Sequence, residues 1–211
     1  MAVTEYDGEP VPGLPQRLPE GERIVWQGAP DWKRLAITAY HVRKVAIYFG
    51  LLLVAALAAG STVGMGMTIA AGVSAVAILS AMAWLTARST LFTITSRRVV
   101  MRFGVAVPMC IQVPMKQVAT ARLNARPDGS GDIALAIVAG DRAGYFILWP
   151  YVRPWKFASP EPMLRALPDA ARVADLLART MAEAVPEGRR VPVGPKVASA
   201  KAEPLKGALA S

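Results

Sequence analysis

Apolar and polar residues divide the chain into unlike stretches. From residue 45 to residue 87 no side chain is charged, and the apolar positions run without the polar gaps that would give a helix a wet face. A bilayer core about 30 Å thick takes roughly 20 apolar helical residues per crossing, so this stretch is long enough for two. Between them lies Gly60-Ser-Thr-Val-Gly64-Met-Gly66. Clustered glycines disfavour continuous helix and permit a sharp reversal. The pattern predicts a transmembrane hairpin over 42–87, with helices at 42–62 and 67–87. Both are rich in small residues, notably Ala55, Ala59, Ala71, Gly72 and Ala75, which allow close backbone approach. That face suits packing within the hairpin, docking of another membrane helix, or both.

Before the hairpin, residues 1–20 hold Pro10, Pro12, Pro15 and Pro19 among glycines and charges, a lead-in that resists helix and strand alike. Residues 21–41 carry a short strand at 23–27, closed by Gly28-Ala29-Pro30, and then a basic, partly amphipathic approach to the membrane. After Arg88 the period changes to alternation. Thr90-Leu-Phe-Thr-Ile-Thr95 and Val99-Val-Met-Arg-Phe103 flank a turn at Ser96-Arg97-Arg98 and read as a β-hairpin. Further strands are expected at 105–113, 117–123, 132–138 and 144–149. A third crossing over 133–152 is excluded because Asp141 and Arg142 lie at its middle, each costing about 2.5–3.5 kcal/mol to insert.

Ser159-Pro160-Glu161 has the makings of a helix start, with a capping hydroxyl, an early proline and an acid near the positive dipole end. Pro168-Asp169 restarts it, and Val173, Leu176, Leu177 and Met181 recur at helical spacing, giving an amphipathic helix that needs a sheet to cover. Residues 88–185 thus form a water-facing domain, and the Pro, Gly, Ala and Lys of 186–211 have too little to bury and are expected to be disordered. The fold class is an α+β membrane protein.

Charge orients the hairpin. Lys33, Arg34, Arg43 and Lys44 precede it, Arg88, Arg97 and Arg98 follow it, and the turn is uncharged. The positive-inside rule then puts both termini on the cytoplasmic side of an inner membrane. Tyr48 and Trp84 fall near the same interface. The net charge of +9 among 211 residues, with 54% hydrophobic residues and a mean hydropathy of +0.35, suits a chain held against anionic lipid better than one that binds nucleic acid. One cysteine, Cys110, excludes an internal disulfide, and one histidine, His41, excludes multi-histidine metal and haem motifs.

Two resemblances follow from particular residues. Glu22-Arg-Ile-Val-Trp-Gln-Gly28, a hairpin, and Phe92-Thr-Ile-Thr-Ser-Arg-Arg98 resemble bacterial PH-like domains of the membrane-anchored type, which implies a seven-stranded bent antiparallel sheet capped by a C-terminal helix. A second set is more specific: Val11-Pro-Gly-Leu-Pro15, Trp26-Gln-Gly-Ala-Pro-Asp-Trp32, His41-Val-Arg-Lys-Val-Ala-Ile-Tyr48, Arg153-Pro-Trp-Lys-Phe157 and Pro160-Glu-Pro-Met-Leu-Arg165. These resemble the PuhB family, photosynthetic-complex assembly proteins of purple phototrophic bacteria, over about residues 9–180. The resemblance implies a non-catalytic factor that helps assemble the reaction centre and its core light-harvesting antenna, with the subunits of those complexes as partners.

Candidate sites are few. One histidine and no glycine-rich phosphate loop leave little for catalysis, and no cofactor is expected unless His41, at the start of the first membrane helix, ligates the magnesium of a bacteriochlorophyll. The plainer reading of His41 is an interfacial residue bonded to lipid or backbone. Lys33, Arg34, Arg43, Lys44, Arg97, Arg98 and Arg102 concentrate positive charge for a membrane surface or an acidic partner. Trp149, Tyr151, Trp155 and Phe157 surround Pro150 and Pro154. They form either a core corner, the preferred reading, or an exposed ridge for a partner, where Trp and Tyr concentrate binding energy. The same surfaces could pair two copies of the chain.

Overall fold

The computed structural model describes residues 14, 16–138, 144–157 and 159–184. The lead-in before Leu14, the loop at 139–143 and the tail expected at 186–211 lie outside the described residues.

Among the described residues, seven strands form two antiparallel sheets. In the first, β1 (Ile24–Gly28), β2 (Leu91–Thr95), β3 (Arg98–Phe103) and β4 (Met109–Pro114) are neighbours in that order. In the second, β5 (Val118–Ala125), β6 (Gly131–Ile137) and β7 (Met163–Leu167) follow suit. The strand count matches that implied by the resemblance, but the strands divide four and three instead of forming one bent sheet. The break falls between Pro114 and Val118, where Met115–Gln117 makes a 3-10 turn and a proline removes a ladder donor. At the β3–β4 connection Gly104 takes a φ of 125°, and a Cβ there would meet the Val107 carbonyl oxygen at 2.1 Å, so only glycine fits.

One core joins the sheets. Phe92, Ile94, Val99 and Met101 of the first and Ile133, Leu135, Leu164 and Leu167 of the second belong to the same buried cluster. The helix α5 (Ala170–Ala184) covers it with Val173, Leu177 and Met181, the face predicted from helical spacing.

Three helices lie between β1 and β2: α1 (Trp32–Thr38), α2 (Val42–Ala58) and α3 (Thr62–Arg88). The short α1 is a true helix where the sequence suggested only an approach. Asp31 caps it by accepting from the Lys33 amide at 2.8 Å, and Leu35 and Ala36 are buried against the sheets. The reversal between α2 and α3 comes earlier and is tighter than the expected 60–66 turn. Gly60 supplies a φ of 66°, Ser61 caps α3 by accepting from the Gly64 amide at 3.1 Å, and Gly64 and Gly66 lie inside the helix. A strong cap therefore outweighs the roughly 1 kcal/mol cost of each glycine in a helix.

With 27 residues, α3 spans about 40 Å, and only 6% of its most apolar stretch of 18 residues is buried. It alone among the described helices is long and apolar enough to cross a membrane. The pair α1 and α2, bent by 57°, would count as a second if taken as one span. No residue of α2 is buried, and Leu51, Val54, Leu57, Val63, Met67 and Val73 are exposed along the two helices.

Two local expectations are overturned. Residues 144–149 are not a strand: Tyr145–Leu148 forms the one-turn helix α4. Its amides bond locally, Ile147 and Leu148 donating to the Gly144 carbonyl at 3.0 and 3.2 Å, and Leu148 is the one residue of the turn that is buried. The helix expected from Ser159 does not start there either. Glu161 is drawn inward by two cations, and Met163–Leu167, buried at all five positions, supplies the third strand of the second sheet. The helix begins only at the predicted restart after Pro168-Asp169.

Candidate functional site

The base of the α2–α3 hairpin is built into the domain core, and this junction gathers most of the distinctive side chains. Ala83 and Ala87 of α3 are buried beside Leu35, Ala36 and Tyr40. Four hydroxyls continue the contact. The Tyr151 hydroxyl donates to Thr90 Oγ1 at 2.7 Å, and Thr90 Oγ1 donates to the Thr86 carbonyl at 2.6 Å. Thr86 Oγ1 and the Tyr40 hydroxyl lie 2.6 Å apart. All four residues are buried, so each polar atom must find its partner within the protein. The chain of bonds ties the end of α3 to the corner between α1 and α2 and to the segment after α4.

Arg165, on β7, makes a second tie. Its Nη1 donates to the Pro150 carbonyl at 3.0 Å and its Nη2 to the Thr38 carbonyl, the last of α1, at 2.6 Å. Burial draws this guanidinium below the ordinary arginine value, the nearby Asp132 partly opposing. Next to it, Ala166 takes a φ of 57°. Its amide donates to Asp132 Oδ1 at 2.8 Å, its carbonyl accepts from the Asp31 amide at 2.8 Å, and Asp132 Oδ2 meets Arg126 at 2.5 Å. Arg34 of α1 pairs with Asp128 in the β5–β6 loop. The amphipathic α1 is thus bonded to the second sheet at both ends.

The predicted cations separate into groups. Lys33, Arg43 and Lys44 are exposed around the α1–α2 corner, Lys33 lying 5.9 Å over the Trp32 ring. Arg34 serves the Asp128 pair. Arg102 lies opposite Leu91 in the register, at the end of the first sheet where the chain leaves α3. Arg97 and Arg98 are four or five residues from Arg102, about 13 Å along the strand, at the opposite end of the hairpin, so the seven do not form one patch. Arg98 is committed to structure: its Nε and Nη2 donate to Glu22 at 2.9 and 2.8 Å and its Nη1 to Gln112 at 2.6 Å. Burial raises the Glu22 carboxyl, but the bonds from Arg98 and Thr95 and the charges of Arg98 and Arg97 outweigh it and hold the group below the usual carboxylate range.

The predicted aromatic group also divides, which corrects the preferred core-corner reading. Tyr151 is wholly buried, edge-on to Phe92 at 5.2 Å. Trp149 is half out, against Tyr40 at 5.3 Å, while Trp155 and Phe157 are exposed. Pro150 and Pro154 turn the chain between these positions, so Tyr151 alone of the four points into the core. Phe146, also exposed, was missed by sequence reasoning because its stretch was read as a strand.

His41 caps α2 with a left-handed φ of 54° and an exposed side chain that makes no capping bond. Above it, α2 and α3 form an apolar groove of about 490 Å³, lined by Ala46, Phe49, Gly50, Leu53, Thr68, Ile69, Gly72, Val73, Val76 and Ala77. His41 is not among these residues. Gly72 sets the depth of contact: a Cβ there would meet Phe49 at 3.0 Å. Among the described residues no group of three or more His, Cys, Asp or Glu could hold a metal ion, and the buried carboxylates Glu22, Asp132 and Glu161 are each engaged by arginine.

The chain matches the bacterial PH domain family over residues 39–181. An uncharacterized 23.7 kDa protein in the puhA 5′ region of Rhodobacter capsulatus is 34% identical to it over 217 residues, covering 96% of this chain and 99% of the relative. No solved structure matches.

Proposed function

The chain belongs to the bacterial PH domain family, and we propose that it is a non-catalytic membrane assembly factor for the photosynthetic reaction centre and core light-harvesting complex, anchored in the bacterial inner membrane by α2 and α3 with both ends in the cytoplasm. The observation that carries the anchor is α3, whose apolar surface is almost wholly exposed although it is the longest helix described. A core helix of that composition would be covered by protein; this one is buried only at its base and at Gly72, where it meets α2. In a bilayer the exposed surface is solvated by lipid at no cost, whereas in water it would be a large unpaired apolar patch.

The assembly role is supported by the PuhB-like motifs and by a relative, matched over 99% of its length, whose description places it in the puhA 5′ region. The junction supports it physically. A domain bonded rigidly to its anchor stays at the membrane surface, where confinement raises its effective concentration toward membrane partners. Partners are the reaction-centre and core-antenna subunits, with the groove between α2 and α3 as the contact inside the membrane and anionic lipid met by Lys33, Arg43 and Lys44.

A second reading, a general PH-like adaptor on the same anchor that binds lipid headgroups or other membrane proteins, is favoured by the fold alone, since fold does not fix function. Deleting the gene separates them. The assembly role predicts lowered reaction-centre and core-antenna absorbance with growth in the dark unchanged. Equal impairment in light and dark, with normal pigment spectra, favours the adaptor.

A further inference from the structure

The segment from Tyr145 to Phe157 displays more apolar surface than the fold uses. Phe146 is 86% exposed, Trp155 87% and Phe157 58%. Single exposed apolar residues are ordinary on protein surfaces, but contiguous large rings are not. Here the rings adjoin one another: Tyr145 lies 4.4 Å from Phe157 and 5.9 Å from Phe146, and Phe157 lies 6.5 Å from Trp155, between centroids.

The ridge is held outward by construction. Trp155 takes a φ of 64°, a conformation that costs a bulky side chain and persists only where its surroundings impose it. What imposes it is Glu161. This buried carboxylate accepts from Arg153 at 2.8 Å and from Lys156 at 2.6 Å, while the Arg153 amide donates to the Glu161 carbonyl at 3.0 Å. The two cations of the turn are folded in and the rings are turned out, the reverse of an ordinary wet loop. No acidic residue occurs from 144 to 157.

Position identifies the occupant. Trp149, one helical turn after Tyr145, packs on Tyr40, the residue before the cap of α2, and Arg165 bridges the Pro150 and Thr38 carbonyls. The segment that carries the ridge is thus tied through Trp149 and Pro150 to the corner from which α2 leaves the domain, and through Tyr151 and Thr90 to Thr86 at the foot of α3. That corner is at the level of the headgroups if the hairpin spans the bilayer, and amphipathic rings favour that layer.

We infer that Phe146, Trp155 and Phe157 form a lipid-contacting platform that seats in the interfacial layer of the bilayer beside the hairpin and fixes the tilt of the domain on the membrane. The inference rests on the transmembrane reading of α2 and α3, and its test keeps the two apart. The full chain carrying Cys110→Ser, with Phe146→Cys, Trp155→Cys or Leu51→Cys added singly, is labelled with a bimane fluorophore and placed in lipid nanodiscs free of other protein. Lipids brominated near the headgroup or deep in the acyl chain then report depth, and iodide reports water.

Leu51, exposed in the middle of α2, is expected to be quenched most by deep bromines, and positions 146 and 155 by shallow bromines with protection from iodide. If Leu51 is quenched by lipid while 146 and 155 respond only to iodide, the platform is overturned and the anchor stands. Protection of 146 and 155 from both quenchers would mean that protein covers the ridge, and also overturns it. If Leu51 escapes lipid quenching, the anchor itself fails and the platform with it.

Discussion

At the scale of single residues, buried ionic and hydroxyl groups each hold one joint of the molecule. Glu161 is the clearest. Burial alone would raise its carboxyl, but the bonds from Arg153 and Lys156 and their charges lower it below 4.5, the value of an unperturbed glutamate. A group whose pKa is lower folded than unfolded contributes stability that is complete above the unfolded value and is lost as pH falls through the folded one. Glu161→Gln should therefore cost stability at neutral pH, by about 1–3 kcal/mol for one charge-assisted site, and the difference from the parent should shrink below pH 4.5. Denaturant unfolding in mild detergent at neutral and acid pH measures this, and a difference independent of pH would contradict it. Tyr151→Phe tests the hydroxyl chain. It leaves Thr90 to bond the Thr86 carbonyl alone, with an expected loss of about 1 kcal/mol and no change in secondary structure by circular dichroism.

At the scale of elements, the α2–α3 contact depends on small residues rather than on polar locks. Gly72→Leu places a branched side chain where a Cβ already meets Phe49 at 3.0 Å, so the helices must separate. Spin labels on the two helices should move apart by several ångströms, the scale of a leucine side chain against closely packed backbones. Unchanged distances would mean that the groove can absorb the leucine. The hairpin was legible in the sequence because 43 uncharged positions, 45–87, leave little else for the chain to do. The β2–β3 pair was legible because β-branched and apolar residues flank a turn, although both strands are buried almost throughout, and α5 because its helical spacing coincides with burial. Elements set by distant partners were not legible. Residues 144–149 looked like a strand, but the burial of Leu148 and the packing of Trp149 on Tyr40 go with a single helical turn there. Ser159-Pro160-Glu161 looked like a helix start until Arg153 and Lys156 claimed the glutamate. For the same reason the charges at 97 and 98 seemed to belong with those at the hairpin, since only the register shows that a β-turn carries them a strand's length away.

At the scale of the whole molecule, the α2–α3 hairpin and the domain share one core, since Leu35 and Ala36 of α1 and Ala83 and Ala87 of α3 belong to the same buried cluster as both sheets and Arg165 bonds the end of α1. If the proposed anchoring holds, the domain and the hairpin move over the membrane together. The claim on which this rests is that α2 and α3 cross the inner membrane with the sheets on the cytoplasmic side. Cys110, exposed on β4 and the only cysteine of the chain, tests it with an impermeant maleimide on spheroplasts, alongside a Cys110→Ser, Ser61→Cys variant that reports the hairpin turn. The account predicts that position 61 is labelled in intact spheroplasts and that Cys110 is labelled only after the membrane is opened. Labelling of Cys110 from outside, or release of the protein into the soluble fraction without detergent, would contradict it.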